Sequence, residues 1–170
     1  MRLVVTGASG RLGRRVAELV AQQVTPHALI LVTRNPGALA SFATRGISVR
    51  RGDFADPPSL RAAFAGGDRL LLISTTDLAN RADEHAAAIA AARAAGIGHI
   101  IYTSGLKPAP PNPAIVAPSH HATEQALLRS GLRWTVLRNS LYADYQWPEA
   151  DRAIASRRLE HNRGQGTVAY

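Results

Sequence analysis

The sequence predicts an α/β fold, a doubly wound parallel sheet of the Rossmann type, and three observations carry that expectation. Short continuous apolar runs alternate with helical periodicities along the chain, the pattern of strands buried on both faces of a parallel sheet. A glycine-spaced turn, Thr6-Gly7-Ala8-Ser9-Gly10-Arg11-Leu12-Gly13, joins the first apolar run to the first helix. At 170 residues the chain has the length of about one domain, and with no cysteine it contains neither disulfides nor thiolate metal sites.

Leu3–Thr6 reads as the first strand, and Leu12, Val16, Leu19 and Val20 follow at helical spacing. Leu29–Thr33 is the second strand and ends at the turn signal Asn35-Pro36-Gly37. Ile47–Arg50 is the third. Asp56-Pro57 then reads as an N-cap with proline at the first helical position, opening a helix through Leu60–Phe64. Arg69–Ser74 is the fourth strand, and residues 79–95 form an Ala-rich helix stopped at Gly96. His99–Thr103 is the fifth strand, Ser119–Ser130 a helix ending at Gly131, and Trp134–Leu137 the sixth strand. Between them Lys107–Pro118, with five prolines, is expected to be a surface loop at the carboxyl edge of the sheet, where such folds bind ligands.

Composition limits the partners. With 46% hydrophobic and 19% charged residues the chain reads as a globular domain, and aliphatic stretches such as Leu70–Ile73 fall far short of the ~20 residues needed to cross a bilayer. No secretory hydrophobic region precedes Thr6-Gly7, so a cytoplasmic location without membrane insertion is expected. The net charge of +8 raises nucleic acid as a partner, but its distribution argues otherwise. Residues 1–51 hold eight arginines against one glutamate, in the part of the chain that carries the glycine turn. No helix-turn-helix, zinc finger or interleaved aromatic surface accompanies the charge, and no nucleic-acid partner is expected.

The glycine spacing has a mechanical reading. Gly7 permits the tight turn, Gly10 lets the backbone approach a pyrophosphate, and Gly13 lets the helix lie close to the first strand. Ala8, Ser9, Arg11 and Leu12 complete the phosphate-binding turn, whose helix N-terminus favours an anion. Twenty-one residues beyond Gly13, where a carboxylate would bond an unphosphorylated ribose, stands Arg34; a guanidinium there favours a 2′-phosphate and hence NADP(H). Asp53, with Phe54 after the third strand, either accepts a hydrogen bond from an adenine amino group or stabilises its own turn.

Thr6–Gly13, Arg34-Asn35-Pro36, Gly52-Asp53, Leu70–Ser74, Tyr102-Thr103-Ser104, His120 with Thr123-Glu124, and Leu137-Arg138-Asn139 with Tyr142 stand together in one order. That set resembles the NmrA-like atypical short-chain dehydrogenases, and within them the type 2 NAD(P)H:quinone oxidoreductases and the related triphenylmethane reductases. The resemblance implies an NADP-binding domain over residues 1–147, with the pyrophosphate over Gly7–Leu12 and the 2′-phosphate at Arg34. It implies a nicotinamide end near Ile73–Thr75, with Ser74 and Thr75 as candidate contacts, and near Leu137–Tyr142, with Arg138 and Asn139. It also implies that residues 148–170 are a remnant of a larger substrate-covering region. Tyr142, Tyr145, Trp147 and Ile154 are then expected to be exposed or covered by another subunit, so a homodimer stays open.

Catalysis has to be sought in what the chain contains. The Tyr-x-x-x-Lys pair of ordinary short-chain dehydrogenases is absent, because Thr103 stands four residues before the single lysine, Lys107. Reduction of a quinone-like electron acceptor needs less acid assistance, since the product anion is a weak base, and NADPH-dependent hydride transfer governed by orientation is the expected function. Tyr102, His120 and Tyr142 are the candidate catalytic residues. Each has a plainer reading: Tyr102 as a core residue, His120 as a partial helix cap, Tyr142 as a structural tyrosine. A non-catalytic NAD(P)-binding sensor is the alternative function. No metal site is expected, because His120-His121 has no spaced carboxylate and Glu84-His85 no histidine one turn away.

Overall fold

In the computed structural model, residues 1–143 and 147–158 are described, and their six strands form one wholly parallel sheet. These are β1 (Leu3–Val5), β2 (Leu29–Thr33), β3 (Ser48–Arg51), β4 (Arg69–Leu72), β5 (His99–Gly105) and β6 (Arg133–Asn139). Their order across the sheet is β3-β2-β1-β4-β5-β6. The chain therefore moves outward from β1 to β3, returns over the sheet, and moves outward again from β4 to β6. Right-handed crossovers put helices on opposite faces for the two directions of travel.

Alternation along the strands supplies one apolar layer to each face. Val4, Ile30, Leu70 and Ile100 face α3 (Pro57–Phe64), α4 (Arg81–Ala94) and α5 (Ala117–Arg129), where Leu60, Phe64, Ala88, Ala92 and Leu127 close the larger core. Val5, Leu31 and Leu71 point the other way, onto Ala17 of α1 (Arg11–Val20) and onto Phe42 of the short α2 (Ala40–Ala43). The switch between β1 and β4 lies in register, with Leu3 beside both Leu29 and Arg69, so both halves begin at one level.

The strand-and-helix reading of the sequence holds, with corrections at the boundaries. β4 stops at Leu72, because the next amides turn to side chains: Ile73 N–H donates to Thr6 Oγ1 (3.0 Å) and Ser74 N–H to Thr103 Oγ1 (2.9 Å). β5 and β6 run two residues further than expected, since the parallel ladder carries on through Ser104 beside Arg138 and Gly105 beside Asn139. Pro118 belongs to the first turn of α5, where a missing N–H costs nothing. Asp56 occupies the N-cap of α3, but its carboxylate bonds Arg51 (3.1 Å) instead of the helix. Periodicity did not reveal α2 or α6 (Trp147–Ser156). Gly96 and Gly131 stand just beyond α4 and α5 with φ of +84° and +74°.

β6 is the edge of the sheet, and Trp134 and Leu137, on its opposite faces, are both partly exposed. Trp147 and Ile154 on α6 are exposed, whereas Tyr142 is half buried; Tyr145 lies outside the described residues. Among the described residues no helix is long and apolar enough to cross a membrane.

The tightest constraint is at Gly13. A Cβ there would stand 2.7 Å from the carbonyl carbon of Gly7 and 2.9 Å from Cα of Ala8, both rigid backbone. Gly13→Ala is expected to cost at least about 1–3 kcal/mol in urea-induced unfolding, with loss of dinucleotide binding. Ile154→Ala, on the exposed side of α6, should stay within about 0.5 kcal/mol of wild type.

Candidate functional site

Beyond the carboxyl ends of the strands lies a cleft of about 1290 Å³. Its first wall is the glycine turn. Gly7 takes φ +60°, and Gly10 N–H closes the turn onto the Gly7 carbonyl (2.9 Å). The first intrahelical bond is Arg14 N–H to the Gly10 carbonyl (2.8 Å), so the amides of the helix's opening residues stay available to a ligand. Gly7, Ser9, Gly10, Arg11, Leu12 and Gly13 all line the cleft. Ala8 does not: its side chain is in the core and its N–H donates to the Val32 carbonyl (3.1 Å), because the turn must dock on β2. Thr6 fastens the turn to the second half of the sheet, donating from Oγ1 to the Leu71 carbonyl (3.2 Å). Ser9 Oγ and Thr33 Oγ1, 2.7 Å apart, tie it to β2.

At the β2 and β3 end stand Arg34, Asp53 and Phe54. Arg34 is exposed and makes no hydrogen bond or ion pair among the described residues. Asp53 accepts the Ala55 N–H on Oδ1 (3.2 Å), the turn-stabilising role, and still borders the cleft, so both readings of this residue have a structural basis. Phe54 sets its ring edge-to-face on His85. Arg14 donates to the Ala38 carbonyl (2.6 Å) as a strut from α1.

At the β4–β6 end the cleft is lined by Ser74, Thr75, Arg81, His120, Asn139 and Tyr142. Asn139 Nδ2 donates to the Tyr142 hydroxyl (2.8 Å). Two predicted residues are not brought here. Tyr102 is fully buried in the larger core, and its hydroxyl lies 2.6 Å from His120 Nδ1, so it reaches the cleft only through that histidine. Arg138 sits on the α5 face of β6 and grips Glu124 with Nε (3.1 Å) and Nη2 (2.7 Å), which strand alternation dictates once Asn139 points to the cleft.

Sequence reasoning missed the polar network beneath this end. Arg81 donates from Nε to the Thr75 carbonyl (2.9 Å) and from Nη1 to Ser119 Oγ (3.4 Å). His85 Nε2 accepts the Thr75 N–H (3.1 Å), so its proton is on Nδ1 and goes to Thr123 Oγ1 (3.0 Å), which donates to the Ser119 carbonyl (2.8 Å). Glu124 takes the Ser104 hydroxyl (2.7 Å) besides Arg138, joining β5, α5 and β6. Ser104, Thr123, Glu124 and Arg138 belong to the motif set; for Arg81 and His85 the available signal was their i, i+4 spacing, which sets both on one helix face.

Electrostatics follow from burial. Desolvation, and then the Arg81 guanidinium, pushes His85 down to about 3 and His120 down to about 4. Burial pushes the Tyr102 phenol up to about 12. Burial also opposes the charge of Glu124, but hydrogen bonds from Arg138 and Ser104 outweigh it and hold the carboxyl below its usual range. At neutral pH the site thus holds two neutral imidazoles, a neutral phenol and a charged guanidinium.

The residues fit a dinucleotide. Glycines at 10 and 13 leave backbone bare where phosphate oxygens need N–H donors, and Arg34 offers a fork matched to a phosphate monoester. Glu84 Oε2, on the cleft wall, is buried with no hydrogen-bond partner among the described residues, an acceptor suited to a ligand's hydroxyl or amino donor.

Known proteins agree with this geometry. Residues 7–169 match the NAD(P)H-binding family. The chain is 36% identical over 167 residues to quinone oxidoreductase 2 of Escherichia coli (strain K12), covering 98% of this chain and 58% of that protein. The structure of the NADPH-dependent quinone oxidoreductase of E. coli complexed with NADPH matches with a TM-score of 0.86 at 36% identity, over 91% of this chain and 54% of that one. Triphenylmethane reductase of Citrobacter sp. complexed with NADP(H) matches at 0.84 and 36%, over 92% and 55%. The chain spans a little over half the length of these relatives, and the resemblance read from its motifs is shown.

The depressed histidines set the acid response. Both have folded pKa values below the unfolded value of 6.5, so the stability they contribute is complete above about pH 6.5 and is lost as pH falls toward about 4 and then 3. Thermal melting should show a decline through that window, at most about 1.4 kcal/mol per pH unit for each histidine. His85→Gln and His120→Gln should each flatten it.

Proposed function

Because the chain belongs to the NAD(P)H-binding family, we propose that it binds NADP(H) in this cleft and acts as a reductase toward a quinone or a similar conjugated small-molecule acceptor. The observation that carries the cofactor choice is Arg34, uncommitted among the described residues at the end of β2, where a carboxylate would have read an unphosphorylated ribose. In this reading the α1 amides and Ser9 hold the pyrophosphate, Arg34 the 2′-phosphate, and Asp53 with Phe54 the adenine. Ser74, Thr75 and Asn139 flank the nicotinamide.

When bound, NADPH supplies a hydride, two electrons on one hydrogen. The residues around it orient the acceptor and exclude water, since among them neither His120 nor Tyr102 is an acid near neutral pH. His120 faces Arg81 through Nε2 (3.4 Å), which favours keeping the imidazole proton on Nδ1 beside Tyr102. The reduced acceptor then takes its proton from solvent. The neutral His120 and the buried Tyr102 also favour the second reading, a binding protein that senses the nicotinamide pool without turnover.

Titration of NADPH and NADH by fluorescence separates these possibilities. Arg34→Glu is expected to weaken NADPH by about 10- to 100-fold while leaving NADH little changed. An unchanged NADPH/NADH ratio refutes the assignment of Arg34. Oxidation of NADPH on addition of a simple benzoquinone supports the reductase; tight binding without oxidation supports the sensor.

A further inference from the structure

We propose that Glu84 reads the base of the dinucleotide: its carboxylate accepts a hydrogen from the adenine amino group, which makes the cleft selective for a purine with a donor at position 6. The inference rests on the NADP(H) reading and adds a specificity-determining residue to it.

Glu84 is set apart by an unmet hydrogen-bonding need. Its Oε2 is buried on the cleft wall and has no partner among the described residues. An acceptor shut away from water without a donor destabilises the free protein, and a bound group that supplies the donor removes that cost. Position along α4 says which group this is. Arg81 and His85 turn toward α5, where they meet Ser119 and Thr123. Glu84 instead shares the helix face of Ala88 and Ala91, whose cluster includes Leu60 and Phe64 of α3, so its carboxylate enters the cleft from the α3 side. Leu60, Phe54 and Asp53 line the cleft there, at the end assigned to adenine and away from Asn139 and Tyr142.

The adenine amino group has two hydrogens and can meet two acceptors. Asp53 gives Oδ1 to the Ala55 N–H (3.2 Å) and serves the base from the β3 side with its other oxygen at most. Glu84 supplies the second acceptor from α4, while Phe54 and Leu60 offer apolar surface to the ring. Hypoxanthine carries a carbonyl oxygen in place of the amino group and sets an acceptor against an acceptor. The same need gives Glu84 a second signature. Removing its carboxylate relieves the free protein while depriving the base, and Asp83 keeps a negative charge in the first turn of α4.

Binding of NADPH and of its hypoxanthine analogue to the purified chain, followed by the fluorescence of the reduced nicotinamide, tests this without turnover. Wild type should bind the hypoxanthine form about 10- to 100-fold more weakly. Glu84→Gln, whose amide both donates and accepts, should bring the two affinities within about threefold of each other. Glu84→Met should weaken NADPH about tenfold. Without ligand, both variants should melt at or above the wild-type temperature. Asp53→Asn should retain part of the discrimination. An adenine preference kept whole in Glu84→Gln, or lost in Asp53→Asn but not in Glu84→Gln, would overturn the proposal. So would melting below wild type in both Glu84 variants, which would mark the residue as structural. Equal binding of the two dinucleotides by wild type would refute the proposal alone, whereas absence of NADPH binding would refute the NADP(H) reading and the proposal with it.

Discussion

The approach of α1 to the turn that precedes it governs much of this structure. Gly13 touches the backbone of Gly7 and Ala8 with no room for a side chain, and that contact aims the helix at the gap between β1 and β4. Everything downstream uses the aim. The helix amides point into the cleft because the helix cannot stand further off, and Ala8 is buried because the turn is pressed onto β2. Thr6 then binds the turn to β4, so the two halves of the sheet meet at a fixed level around the ligand site.

The two ends of the cleft are built on different physical terms. At the Arg34 end the charge is exposed, on a side chain free to swing, and suits a mobile phosphate that keeps much of its hydration. Arg81, at the other end, is nearly closed to solvent, and its guanidinium meets the Thr75 carbonyl, Ser119 Oγ and His120 Nε2. Burial makes that second charge costly unless it is hydrogen-bonded, and these partners supply the bonds. Glu124 plays a supporting part: with Ser104 and Arg138 it locks the ends of β5 and β6 to α5, and so holds the helix that carries His120.

Local signals carried most of the fold. Apolar runs of four or five residues separated by helical spacings marked all six strands, because buried parallel strands have no polar face to disguise them. They failed where the backbone is satisfied by something other than its own neighbours. β4 ended early because side-chain hydroxyls took its next amides, and β5 and β6 ran on through polar residues because each supplied the other's ladder. The short α2 and the exposed α6 have too little apolar face to register as periodic.

At the site, the glycine turn, Arg34 and the family were legible in the chain, because each rests on a short stretch whose chemistry is local: bare backbone for phosphates and a cation at the end of a strand. Which side chains meet across the fold was not. Tyr102 and Arg138 stood in the right stretches, yet strand alternation sent one into the core and the other onto Glu124. Arg81 and His85 carry no motif, and they join Ser119 and Thr123 only when α4 and α5 pack side by side above the sheet. Local sequence thus specified the glycine-turn half of the cleft, while long-range packing created the half beyond β4, β5 and β6, since its polar groups owe their orientation to burial between elements far apart in the chain.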